Sequence, residues 1–378
     1  MCNCTINKNN FLSNCINALA FIGRNVYNIR EGLSMRTAVT IKDIADQLGL
    51  SRNTVAKALN GKYVPEKTRD IILAKAHELN YKSINAISYN MEPPRKSKRI
   101  LLLSGKPLNN ISFFVPIIKS IENYCYSDHH ELFQHTYNAA VMTFASLSDH
   151  IKSLNVDGII AIETFDKDFI TKLLNLKLPV CFVDFAPTHS PISGNFDIVK
   201  TYDTKSIYGI TRQLHKKYGI KKFCFVGDIT HCMSFQERYF GMIQALAIDG
   251  IEHSRRDDIL RGDNFDYGSI PAIKSEINKL RGRPECFICA NDFIARSVCD
   301  TLQSLMIDVP KQCLVIGYDN VIEASSYSPA ITSFDCDKES LGAEAVSALL
   351  YRINHPQNTY TRSITVHTKA VYRTSTER

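Results

Sequence analysis

No apolar run in this 378-residue chain is long enough to span a bilayer, which removes the helical membrane proteins from consideration. No secretory leader is expected either: "INALAFIG" is short, is broken by Asn17 and comes after a single lysine. A nucleophile elbow, an HExxH pair and a phosphate-cradling glycine loop are all missing. The stretch "SGKPLNN" has Gly-Lys without the preceding glycine such a loop needs, so no catalytic residue is expected. The 12 cysteines have no framework spacing, and several sit inside apolar runs such as "FCFVG" and "PVCFVD". Reduced thiols in a cytoplasmic protein are therefore expected rather than disulfides. Cys286 and Cys289 form a CxxC in "ECFICAND", but with no second ligand pair this reads as a buried strand. Neither a metal nor a cofactor is expected.

The charge that is present is unevenly placed. Residues 36–99 carry 13 Lys/Arg against 6 Asp/Glu, whereas the chain after residue 99 carries 29 against 31. A polyanion-binding module joined to a nearly neutral body is the expectation, and the length suits two or three domains. Residues 1–35 share no pattern with the rest of the chain and read as a disordered extension or as the product of an upstream start, since Met35 opens "MRTAVTIKDIA". Residues 36–82 read as a helical headpiece and 83–98 as a hinge and linker, where Pro93, Pro94 and the basic "RKSKR" stop any helix. Residues 99–378 form the body.

In "TIKDIADQLGLSRNTVAKALNGK", residues 40–62, Ile41, Ile44, Ala45 and Leu48 fall on one helical face. Thr40 is placed as N-cap, with Asp43 completing a short capping box. Gly49 permits a turn, Ser51 caps a second helix, and Val55 and Leu59 point back to the core. A third helix starts at Pro65, with Ile72, Ala76 and Leu79 as its stripe. With Val55 and Leu59 inward, Arg52, Asn53 and Lys57 face outward near the start of the second helix. Arg or Lys can donate to guanine O6 and N7, and Asn can pair with adenine, so these three are the candidate base readers. Thr40, Ser51, Asn60 and Tyr81 are the candidate phosphate contacts that would fix orientation. A solvated basic helix face is the competing reading of the same residues.

Residues 40–62, continued by "VPEKTRDIILAKAHELNYK", resemble the headpiece of the lactose-repressor (LacI/GalR) family of bacterial transcriptional regulators. The resemblance implies a hinge that folds on the operator and wedges an apolar side chain into the minor groove. It falls on "SINAISYNM", residues 83–91, which departs from the usual pattern at Ser83. An ungapped match puts Asn90 at the wedge, and a one-residue slip puts Met91 there.

Beyond residue 99 the runs "RILLLS", "ELFQHTY", "DGIIAIE", "PVCFVD", "KKFCFVG", "ECFICA" and "CLVIGYD" alternate with amphipathic helical segments. Nearly continuous apolar strands separated by helices predict a doubly wound parallel sheet. Strands finish at Ser104, Glu163, Asp184, Asp228, Asn291 and Asp319. Ligands bind beyond the carboxyl ends of such strands, although any one of these groups could instead be a helix cap. "HCMSFQERYFGMIQALAIDGI" is similar to the family's Ser-x3-Arg-x2-Gly segment, and "FICANDFIARSVCDTL", "DVPKQCLVIGYDN" and "PAITSFDCDKESLGAEAVSALLYRI" resemble its later segments.

The resemblance implies an α/β chain: a three-helix helix-turn-helix headpiece, then a periplasmic-binding-protein-like body of two subdomains with a small-molecule effector between them. The effector residues it implies are Asp184, Ser234, Arg238, Asn291 and Asp319. Phe185 and Phe235 are candidates to pack on the ligand, and Arg238 could instead make an internal ion pair. The expected protein is a cytoplasmic, homodimeric repressor that binds operator DNA and a carbohydrate effector. A two-lobed solute receptor, the alternative, would have no use for a basic headpiece.

Overall fold

The computed structural model describes residues 39–59, 64–79, 81, 97–108, 111–187, 192, 194–262 and 264–378. The chain divides into two compact units, Met1–Lys96 and Ser97–Arg378. The extension 1–35, Asn60 and the hinge stretch 83–91 with Asn90 and Met91 lie outside the described residues.

The first unit holds three helices, α1 (Ile41–Leu48), α2 (Arg52–Leu59) and α3 (Glu66–Glu78). At the start of α1 the Asp43 amide donates to Thr40 Oγ1 at 3.4 Å and the Thr40 amide donates back to Asp43 Oδ2 at 2.7 Å. This reciprocal capping box satisfies two amides that a helix start leaves without partners. Gly49, at φ +64°, ends α1 in the left-handed region that glycine enters without a Cβ penalty. Ser51 Oγ then accepts from the Thr54 amide at 3.0 Å and so fixes where α2 begins. The core is small: Ile44, Ala45, Val55, Ala58, Leu59, Val64, Ile72 and Ala76 are buried, with Leu79 and Tyr81 packed against them.

The second unit begins with β1 (Arg99–Ser104), α4 (Ile111–Ser127), β2 (Glu131–Thr136), α5 (Phe144–Leu154), β3 (Gly158–Ile162), α6 (Lys167–Leu174), β4 (Val180–Val183) and β5 (Phe196–Thr201). It continues with α7 (Asp203–Tyr218), β6 (Phe223–Val226), α8 (Met233–Ile248), α9 (Ile270–Ile277), β7 (Cys286–Cys289), α10 (Asp292–Ser304), β8 (Leu314–Ile316), α11 (Ile322–Ser326) and β9 (Ser333–Asp335). It closes with α12 (Lys338–Asn354), β10 (Arg362–Val366) and β11 (Lys369–Val371).

Two lobes result. One is a parallel sheet in the order β10-β5-β4-β3-β1-β2, the other a parallel sheet β6-β7-β8 with the antiparallel pair β11-β9. All seven apolar runs are strands, and those buried along their whole length (β3, β4, β6, β7, β8) are covered on both faces, which is why they lack polar alternation. The β2 run lies at a sheet edge and is half exposed. Three connections pass between the lobes: after β5 into α7, after β9 into α12, and between β10 and β11. Helix α8 lies close on α7, because a Cβ at Gly241 would sit 2.4 Å from the Thr204 carbonyl oxygen. That explains the glycine of the Ser-x3-Arg-x2-Gly segment by packing alone.

A buried charge cluster ties β10 into the first lobe. Asp197 on β5, fully buried, accepts from Arg352 of α12 and from Arg362 Nε of β10 at 3.1 Å. Burial works to raise this carboxyl, but hydrogen bonds from Arg362 and Arg352 outweigh it and hold the group below its ordinary range.

Candidate functional site

The first unit presents a polar face built on α2. Arg52, Asn53 and Lys57 are exposed, while Val55, Ala58 and Leu59 on the opposite side are buried. The three candidate base readers therefore share the solvent side of one short helix. Thr40 and Ser51 are engaged as helix caps: Thr40 Oγ1 donates to Asp43 Oδ2 at 2.8 Å, and Ser51 Oγ lies 2.8 Å from Thr54 Oγ1. Tyr81 donates its amide to the Ala76 carbonyl at 3.0 Å and rests its ring on the headpiece core.

The second unit contains a cavity of about 680 Å³, within the range of small-molecule sites. Asp184, Ser234, Arg238, Asn291 and Asp319 all line it. Glu163 and Asp228, also singled out as strand ends, line it too, whereas Ser104 turns back to the Lys106 carbonyl at 2.5 Å. Glu163, Asp184 and Asp319 have φ of 48°, 63° and 98°. Backbone held in the left-handed region at three strand ends around one cavity is strain of the kind that clusters at ligand sites.

Each polar group has a definite tie. Asp184 Oδ1 accepts from the Phe185 amide at 2.7 Å and from the Ser234 amide at 3.3 Å, which seats the carboxylate at the N-terminus of α8. Burial nevertheless raises its pKa. Asn291 caps α10, its Oδ1 accepting from the Ile294 amide at 3.0 Å, so its side-chain NH2 is the group left for a ligand. Arg238, 3 % exposed, donates Nε to Asp203 Oδ1 at 3.2 Å and Nη1 to the Ala290 carbonyl. Its Nη2 lies 3.5 Å from Asp319 Oδ1 and its guanidinium 3.7 Å from the Tyr318 ring centroid. The internal ion pair weighed from the sequence is thus present, and Arg238 borders the cavity as well.

Several lining residues were not legible in the sequence. Lys106 pairs with Glu163 at 3.3 Å, His231 packs edge-on to Phe165 at 5.1 Å, and Phe113, Tyr267 and Phe293 add aromatic wall. They come from loops and helix starts, where no periodicity marks them. Phe235 lines the cavity as expected. Phe185 does not: it is 2 % exposed and stacked on Phe196 at 5.2 Å, in the core of the first lobe. Cys286 and Cys289 are buried in β7, where burial pushes both thiols well above their ordinary range and keeps them protonated. No group of three metal-ligating side chains occurs among the described residues.

Two buried aspartates make stability depend on pH. Burial raises Asp292 from 3.8 to about 6 and Asp319 from 3.8 to about 7, in the latter case against the lowering effect of Arg238. Between the unfolded and folded values the fold holds protons that the unfolded chain has released, so these groups add stability as pH falls and lose it as pH rises toward about 7. The thermal midpoint should therefore rise less steeply from about pH 8 to about pH 5 in Asp319→Asn than in the parent. Identical slopes would remove Asp319 from this account.

Residues 40–83 match the family described as "Bacterial regulatory proteins, lacI family", and residues 211–376 match "Periplasmic binding protein-like domain". The chain is 28% identical over 327 residues to the HTH-type transcriptional repressor PurR of Pasteurella multocida, spanning 83% of this chain and 92% of that protein. It is 28% identical over 331 residues to PurR of Photobacterium profundum, spanning 85% and 95%. The solved complex of the transcriptional regulator CelR with cellobiose has a TM-score of 0.66 at 19% identity, covering 89% of this chain and 99% of that chain. The lac repressor dimer bound to operator and the anti-inducer ONPF has a TM-score of 0.62 at 19% identity, covering 90% and 100%. At these identities the structural likeness concerns the fold.

Proposed function

The chain belongs to the LacI family of DNA-binding transcriptional regulators, with an effector-binding domain behind its headpiece, and from that premise we propose that it works in the cytoplasm as a homodimeric repressor with a neutral, hydroxyl-rich effector of carbohydrate type. It is a regulator and not an enzyme. Arg52, Asn53 and Lys57 read base edges in the major groove, and Thr40, Ser51, Asn60 and Tyr81 hold the phosphates beside them. Met91 is the candidate wedge. Two headpieces related by a dimer axis read a near-palindromic operator, because symmetric half-sites mirror a two-fold protein.

The observation that carries the ligand class is how the basic groups of the cavity wall are engaged. Seven Asp/Glu side chains line it against four Lys/Arg. Three of those bases already have carboxylate partners: Lys106 with Glu163, Lys200 with Glu237 at 2.6 Å, and Arg238 with Asp203 and Asp319. A phosphorylated ligand would have to compete with those carboxylates for the bases, whereas sugar hydroxyls can hydrogen-bond Asp184 and Asp319 in either protonation state while ring carbons rest on Phe235 and its neighbours. A nucleobase is the second reading. It is favoured by the seven Phe and Tyr side chains in the wall, whose flat faces suit a planar ring.

Thermal unfolding of the full chain against ribose, cellobiose, guanine and hypoxanthine separates the two, since a ligand at 100 times its Kd adds about 2.7 kcal/mol by mass action. A midpoint raised by a sugar in the parent and not in Asp184→Ala is the expected result. A rise with the bases alone would replace the carbohydrate reading with the second one.

A further inference from the structure

The wall of the cavity is joined to the connections between the lobes. We propose that Arg238, Asp203, Tyr318 and Asp319 form a buried clamp that ties the cavity to all three interlobe connections at once, so that the connections respond to the cavity as a unit. The regulatory meaning of the clamp rests on the effector reading above, but its existence does not.

The connections are reached one by one. Asp203 is the first residue of α7, just past the connection from β5, and Thr201 Oγ1 on the near side donates to Asp203 Oδ2 at 2.7 Å. Arg238 Nε donates to the other oxygen of the same carboxylate at 3.2 Å. The second connection, between β9 and α12, is held through Asp319: its carbonyl accepts from Lys338 Nζ, and its backbone bridges to Asp335. The third, between β10 and β11, is held through Tyr318, whose ring lies under the Arg238 guanidinium and whose hydroxyl is 3.2 Å from Thr368 Oγ1. Thr368 Oγ1 is also 2.6 Å from Ser206 Oγ, and the Tyr202 amide donates to the Val366 carbonyl at 3.1 Å, so the first and third connections are cross-tied as well.

Burial makes these ties stiff. Arg238, Asp203, Tyr318 and Asp319 are 3 %, 0 %, 0 % and 4 % exposed, and a buried charge released from its partner is only poorly solvated in exchange. Arg238 has five N–H donors in a rigid fork, and those not engaged by Asp203, Ala290 and Asp319 can face the cavity. A ligand oxygen that accepted from them would pull on the group that grips Asp203 and stacks on Tyr318. Tension at one atom is thereby distributed to three backbone crossings, the two-state element that coupling between sites requires.

Hydrogen exchange of the full chain, read by mass spectrometry without DNA or ligand, tests the clamp. In Asp203→Asn the amides of residues 200–206, 334–340 and 365–370 should all exchange roughly tenfold faster than in the parent, while amides of β3 and β7 keep their rates. Tyr318→Phe keeps the buried ring and removes only the hydroxyl. It should fold even if the first variant does not, and should again accelerate all three segments together. Acceleration confined to the segment nearest each substitution, or spread evenly over both sheets, would overturn the proposal. Neither outcome bears on whether the cavity takes a sugar or a base, which the ligand panel decides separately.

Discussion

Exchanging Arg238 for leucine is expected to lower the stability of the second unit by roughly 3–5 kcal/mol at neutral pH, the usual consequence of breaking a buried pair by removing one partner. The loss comes less from the missing attraction than from what stays behind. Asp203, fully buried, would keep the Thr201 hydroxyl but lose its cation, and Asp319, 4 % exposed, would lose the cation that opposes its burial. The Asp319 carboxyl would then be driven further toward the protonated form. Its folded-state pKa would lie above the unfolded one, so the variant should recover stability as pH falls toward about 5. Denaturant unfolding of the parent, Arg238→Leu and Arg238→Lys at two pH values checks this. Lysine keeps the charge but not the planar fork and should fall between. A leucine variant as stable as the parent at neutral pH would show that the guanidinium contributes nothing to the fold.

The second large effect is expected in the headpiece. Val55 is 0 % exposed in a core of eight buried residues among those described, and a carboxylate forced into it without a partner costs several kcal/mol. A unit this small has roughly 3–5 kcal/mol of stability at most. Val55→Asp should therefore unfold the headpiece and abolish specific DNA binding, while the second unit, with its own core, retains its cavity. The expected pair of results is loss of operator binding in a gel-shift titration together with a ligand-induced shift in thermal unfolding that matches the parent's. Specific binding at parental affinity would show that the packed α1–α2 pair is not the reading element.

The elements legible in the sequence are those whose pattern is local. Thr40, Gly49, Ser51 and Pro65 mark helix ends by side-chain chemistry that acts within four residues, and the structure places the ends there. The seven apolar runs become strands because a sheet covered on both faces needs no alternation. Strand β5 was not legible, since Asp197 and Lys200 interrupt its apolar run; the structure answers them with Arg352, Arg362 and Glu237, which are distant in sequence. Strands β10 and β11 are short and half exposed, so neither period stands out.

The cavity shows the same division. Residues at strand ends could be named because the doubly wound fold dictates where strands point, and Asp184, Asn291 and Asp319 line the cavity accordingly. Lys106, Phe113, His231 and Phe293 could not, because loop and helix-start positions reach the cavity only through the packing of both lobes. The link from Arg238 to Asp203 is also tertiary: the two lie 35 positions apart, on helices brought together by the close approach at Gly241.

Sequence-specific reading of DNA by α2 is the central claim, and selection of bound duplexes from a randomised pool by the full chain at fixed salt tests it most directly. The account predicts recovery of a near-palindromic site bound on the order of 10³-fold or more over random duplex. It further predicts that Arg52→Ala relaxes preference at one position per half-site by about 1–3 kcal/mol and leaves the others intact. A recovered pool with no sequence preference, or an Arg52→Ala chain weakened equally on every duplex, would contradict it.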